Sequence, residues 1–189
     1  MNAKVNFQLS EHLIPFYSTV DMLDAYSLAF ETTSQLQTLI NQITKSTSQI
    51  KIYAQESNIH ACIFSELESL TSISQYLSEN QVNTFDVERE KYQSESNVSN
   101  AQYDAGDLFN AYSLAHEATL WLQTMFYQIK NEAEAIKQKI INLGSGIFTN
   151  LERLIHIAEY LADNHSDTLN IEREKSETEW EANKKAVSL

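Results

Sequence analysis

Glycine and proline are almost missing from this chain: three glycines and one proline occur among 189 residues. Sheets turn every few residues and rely on both for their turns, so the shortage argues against a β fold and for long helices. Cysteine is reduced to Cys62, which excludes an internal disulfide and suits a reducing compartment. No apolar run approaches the ~20 residues that carry a helix across a bilayer. The opening residues, MNAKVNFQLSEHLIPFYS, lack the uninterrupted apolar core of a secretion signal. The expected location is the cytoplasm, without membrane contact. Positive charge is short as well, 13 Lys and Arg against 26 Asp and Glu, for a net charge of −13. Such a surface repels phosphate backbones, so direct nucleic-acid binding is not expected.

What the chain does have is an internal repeat. Residues 24–43, DAYSLAFETTSQLQTLINQI, match residues 110–129, NAYSLAHEATLWLQTMFYQI. Residues 63–91, IFSELESLTSISQYLSENQVNTFDVEREK, match residues 147–175, IFTNLERLIHIAEYLADNHSDTLNIEREK. About half of the aligned positions are identical, and neither block holds a gap. Self-similarity at a fixed period marks a duplicated structural unit. Asp24 aligns with Asn110, 86 residues on, whereas Ile63 aligns with Ile147, 84 on. An insertion or deletion therefore falls between Lys51 and Asn58, and such changes collect in loops. The matching loop of the second copy holds Gly144, Ser145 and Gly146, with glycine suited to a helix C-terminus and serine to the next N-cap. The first copy offers Ser57 and Asn58 in that place.

Apolar residues within each block step by three or four, the spacing of one helix face. Ala25, Leu28, Thr32, Leu36, Leu39 and Ile43 form one seam, matched by Ala111, Leu114, Ala118, Leu122, Met125 and Ile129. Ile63, Leu67, Leu70, Ile73 and Leu77 form another, matched by Ile147, Leu151, Leu154, Ile157 and Leu161. Asp21 and Asp107 precede the first helix of each copy and are the expected N-caps. One hairpin leaves an apolar stripe uncovered on each helix, and two hairpins cover each other's. The fold class read from the sequence is all-α: tandem-duplicated helical hairpins forming an antiparallel four-helix bundle with pseudo-two-fold symmetry. Its divisions are an N-terminal arm or short strand at 1–19, repeats at 20–95 and 106–189, and a linker at 96–105. Whether the second helix of each repeat breaks near Asn80 and Asn164 stays open.

Reactive constellations fail one by one. Glu31, Glu117, Glu68 and Glu152 supply one matched carboxylate per helix, the raw material of a di-iron bundle. That site also needs Glu-x-x-His, and the nearest approach, Glu152 with His156, is four apart and has Ser72 in the other copy. Arg153 and His156 have only two residues between them, too few for the Arg–His spacing of helical nucleases. Cys62 has only His60 nearby as a base, and the three glycines fit no phosphate loop. No catalytic, metal or cofactor residue is assigned, and an enzyme is not expected.

Two features point to binding. Polar residues repeat without a packing need, among them Tyr26 and Tyr112, and Gln37 and Gln123. In the second copy alone, Trp121, Phe126 and Tyr127 replace Gln35, Ile40 and Asn41, and aromatics of this kind are enriched at binding hot spots. The expected function is a non-enzymatic protein-interaction module in a regulatory or inhibitory role. Its partner is another protein, with a basic surface favoured by charge. The alternatives are an acidic antagonist of a basic nucleic-acid enzyme, a carboxylate-bridged metal enzyme, and further association into a homo-oligomer.

Overall fold

The computed structural model describes residues 16–96, 102–140 and 144–187. Two helices of the first repeat, α1 (Thr19–Glu56) and α2 (Ser65–Ser96), are followed by α3 (Ala105–Lys139) and α4 (Thr149–Val187) of the second. Ahead of α1 and α3 lie two-residue strands, β1 (Tyr17–Ser18) and β2 (Gln102–Tyr103), paired antiparallel with Tyr17 opposite Tyr103. Part of the expected 96–105 linker is thus ordered strand, and the expected arm contributes its partner. Residues 1–15 of that arm lie outside the described residues.

Each first helix opens with a reciprocal cap. The side chains of Ser18 and Asp104 accept from the N–H of Asp21 and Asp107, whose carboxylates accept from the caps' own N–H groups. Asp21 and Asp107 were expected to be the caps themselves. They stand three residues inside instead, because the Ser or Asp one turn earlier completes a capping box. A carboxylate in that first turn also faces the positive end of the helix dipole. Hydrogen bonds from Ser18 hold the Asp21 carboxyl below the usual carboxylate range.

α1 runs for 38 residues, about 57 Å at 1.5 Å per residue. α2 and α4 continue without a break past Asn80 and Asn164. The first hairpin turns through Asn58, in the left-handed region at φ 63°, and a short 3-10 turn at Ala61–Phe64. Asparagine tolerates that conformation where most residues do not. The second hairpin enters α4 through a 3-10 turn at Ser145–Phe148, with Gly144 at φ 79° just before it. Ser145 is therefore the first residue of that turn rather than an N-cap, and the cap position belongs to Gly144.

α1 packs chiefly on α2 and α3 on α4, and all four helices share one core. Leu36, Ile40, Ile43, Phe64 and Leu67 meet Leu122, Phe126, Ile129, Phe148 and Leu151 there. Ile73 and Ile157, expected in the seam, are each 49% exposed. The two successive steps of three that lead to each, Leu67 to Leu70 to Ile73 and Leu151 to Leu154 to Ile157, drift about 60° each from the buried face, since 3.6 residues make a turn. At that level α2 turns inward Thr71, Ser74 and Ser78, whose hydroxyls donate to carbonyls of their own helix. Such bonds satisfy a buried hydroxyl without a partner helix. Lys51 pairs with Glu68 across the first hairpin, and Lys137 with Glu152 at matched positions across the second.

Candidate interaction surface

The outward face of α3 differs from that of α1. Leu114 and Trp121 stand seven residues apart on one line of the helix, and Leu120 and Tyr127 form a second such line. All four are exposed, at 47%, 50%, 39% and 56%. Leu114 was expected in the seam; the inward positions around it are taken by Ala111, Ala115 and Ala118. The matched residues of α1 are Leu28, Gln35, Ser34 and Asn41. Two of these make cross-helix bonds: Gln35 Oε1 lies 3.1 Å from His165 Nε2, and Asn41 Oδ1 accepts from Gln75 at 2.9 Å. α3 carries exposed indole and phenol rings where α1 carries amides bonded to its neighbours.

Trp121 borders a crevice of ≈ 240 Å³ between α2 and α3, lined by Gln81, Thr84, Phe85, Leu114, Glu117 and Ala118 among others. Gln81 is only 9% exposed. Its amide N–H donates to the Ala118 carbonyl at 3.3 Å, while its Oε1 is buried without a partner. On the other side of α3, Tyr127, Gln123 and Thr124 line an open groove of ≈ 480 Å³ with Glu159 and Asp163 of α4. Gln123 donates to Asp163 there, and Lys130 pairs with Glu159.

The residues singled out in the sequence do not form one site. Trp121 and Tyr127 flank the exposed face of α3, with Gln123 beside Tyr127. Phe126 is fully buried in the main core, a correction to its expected place on the surface. It sits 100° around the helix from Tyr127 and fills the level occupied in α1 by the equally buried Ile40. Gln37 is half-buried on α1, away from α3's outer face.

Tyr26 and Tyr112 are half-buried at the far end of the bundle, near the strand pair. Tyr26 stacks on Tyr92 with centroids 5.4 Å apart, and Tyr92 meets Tyr103 edge-on at 5.5 Å. Burial, followed by nearby negative charge, pushes the Tyr26 and Tyr112 phenols up to about 12. Both shifts favour the protonated phenol. Leu120, Glu117 and Gln81 were missed. Leu120 replaces Ser34 and was open to the same copy-by-copy comparison that found Trp121, whereas Gln81 becomes part of the site only through the α2–α3 packing.

Several of the other titratable groups serve capping or packing. Among the described residues no group of three or more His, Cys, Asp or Glu side chains converges as a metal site would require. His60 Nδ1 accepts from the Cys62 backbone N–H, and the Cys62 side chain is exposed. His116 replaces Phe30, over whose ring the Arg89 guanidinium lies at 4.1 Å. Burial first, then the charge of Arg173, hold His116 below the usual histidine range; burial does the same for His165. No helix among the described residues is long and apolar enough to cross a membrane.

Comparison of the chain with protein-family models, curated proteins and solved structures finds no significant match.

Proposed function

We propose that this chain is a non-catalytic protein-interaction module, a regulator or inhibitor that docks its partner on the outer face of α3. The observation that carries the reading is the exposed set Leu114, Leu120, Trp121 and Tyr127, whose two aromatic members stand where α1 has internally bonded amides. Exposed apolar side chains on one helix mark an interaction site, and Trp and Tyr dominate the energetics of such sites. The scaffold fits a fused pair of hairpins descended from a symmetric dimer, with one face diverged after fusion.

Replacing Trp121 and Tyr127 together by Ala should leave helicity intact, since both rings are half-exposed. Removing two hot-spot aromatics should weaken partner binding by roughly 30-fold or more. The measurement is capture of binding proteins from native lysate, treated with nuclease, by the parent chain and the double variant in parallel, with helicity checked by circular dichroism. Equal capture by both would end the assignment of this face.

A second reading, an acidic antagonist of a basic nucleic-acid enzyme, draws on the charge. Eight described Lys and Arg side chains are paired with the chain's own carboxylates, so the surplus of negative charge is presented outward. It predicts a complex that dissociates as salt rises; retention at high salt would count against it.

A further inference from the structure

We infer that the α2–α3 crevice beside Trp121 receives an arginine side chain of the protein partner. The inference rests on the docking face proposed above and names the chemistry of its anchor. A volume of ≈ 240 Å³ lies below the ~300 Å³ at which ligand pockets begin, so the crevice suits one side chain rather than a cofactor. Its walls are of two kinds. Phe85, Leu114, Ala118 and the Trp121 ring are apolar and match an aliphatic stem. Two of the polar groups are acceptors without a partner, and Asn80 adds an amide at the edge. Gln81 Oε1 is buried and unbonded, and Glu117, on the rim, makes no ion pair among the described residues. No Lys or Arg lines the crevice.

A buried acceptor left without a donor carries a desolvation cost. A group that supplies a donor, carries positive charge and stacks on an indole would relieve that cost and pair with Glu117. Guanidinium does all three: it is planar, presents five N–H donors and lies flat on aromatic faces. The Gln81 amide N–H keeps its bond to the Ala118 carbonyl at 3.3 Å, and Oε1 is the acceptor that gains a donor. The net charge of −13 favours the same cation at longer range.

The matched seam between α1 and α4 shows what happens where no such guest is needed. His165 stands in place of Gln81 and Gln35 in place of Trp121, and the two bond each other across the seam at 3.1 Å. The first repeat's surface meets its own hydrogen-bonding need; the second leaves an acceptor open beside a bare indole.

The test is an NMR titration of the full chain with Nα-acetylarginine amide, set against Nα-acetylcitrulline amide, its neutral isostere. The arginine compound should give saturable shifts at the Trp121 indole N–H and the Gln81 side-chain amide, with the citrulline compound binding at least about fivefold more weakly. Glu117→Gln should lower the arginine affinity about threefold or more while the rest of the spectrum stays unchanged. Equal response to both compounds, or shifts spread over the acidic surface and absent from Trp121, would overturn the inference. If arginine fails here while the Trp121 and Tyr127 double variant still loses its partner, the anchor is wrong and the docking face stands. If arginine binds and the double variant keeps its partner, the docking face is wrong and the crevice stands.

Discussion

Gly106 lies under the indole of Trp180, so close that a Cβ on residue 106 would stand 2.7 Å from Nε1 and 2.9 Å from the carboxylate of the Asp104 cap. The indole is held from other sides: it stacks on Phe109 with centroids 5.5 Å apart, and the Lys184 ammonium lies 3.1 Å from its centroid. The matched positions of the first repeat are Val20 and Ser96. Bulk on one helix is thus exchanged for bulk on the other. Alanine normally exceeds glycine in a helix by about 1 kcal/mol. Here overpacking opposes it at about 1–3 kcal/mol, so Gly106→Ala should lower stability in urea unfolding. In a Trp180→Ser background the same change should cost less, with the contact to the Asp104 cap remaining. A single variant as stable as the parent would mean that the indole moves aside freely.

Tyr17 and Tyr103 face each other across the strand pair, and each phenol donates to a carboxylate near the end of a second-repeat or first-repeat helix, Glu179 or Glu95. Burial, then the hydrogen bond and charge of Glu179, push the Tyr17 phenol up to about 12, and burial leads the shift to about 12 at Tyr26 and Tyr112. In the unfolded chain a phenol ionises near pH 10. Below that pH both states hold the protons, and the contribution of these groups is complete. As pH rises from about 10 to about 12 the unfolded state sheds protons that the folded state keeps, and stability falls. Helicity followed by circular dichroism should therefore collapse in that window, together with the rise of tyrosinate absorbance. Tyr17→Phe should cost about 1 kcal/mol at neutral pH and move the alkaline midpoint upward. Tyrosinate appearing at pH 10 with helicity unchanged to pH 12 would refute the account.

The repeat made the two hairpins legible: Glu68 and Glu152 are matched within the aligned blocks, and each pairs with a lysine near the end of the preceding helix, Lys51 or Lys137. The seams were only partly legible. A search for apolar residues at helical spacing selects Ile73 and Ile157, but the inward positions of α2 at that level are Thr71, Ser74 and Ser78, polar by type and satisfied within their own helix. Trp121 and Tyr127 could be read from the difference between the copies. Phe126 was drawn along with them, since sequence adjacency does not show that neighbouring helical residues face 100° apart. Glu117 and Gln81 line one crevice, and Gly106 meets Trp180, only through packing between helices distant in sequence.

Thr47 tests the hydroxyl-rich interior from the opposite direction. It is buried, and its Oγ1 has no hydrogen-bond partner; the matched residue of α3 is Ala133. Thr33 is equally buried, but its Oγ1 donates to the Ala29 carbonyl at 2.8 Å. Valine keeps the shape of threonine and removes the hydroxyl, so the two sites differ only in whether a bond is lost. An unbonded buried hydroxyl costs about 1–3 kcal/mol, whereas a bonded one contributes about 0.5–1.5 kcal/mol. Thr47→Val should raise the urea midpoint by the equivalent of about 1 kcal/mol, and Thr33→Val should leave it level or lower it. Shifts of the same sign at both sites would mean that bonding does not set the balance, and that general polarity of the interior governs the stability of this bundle.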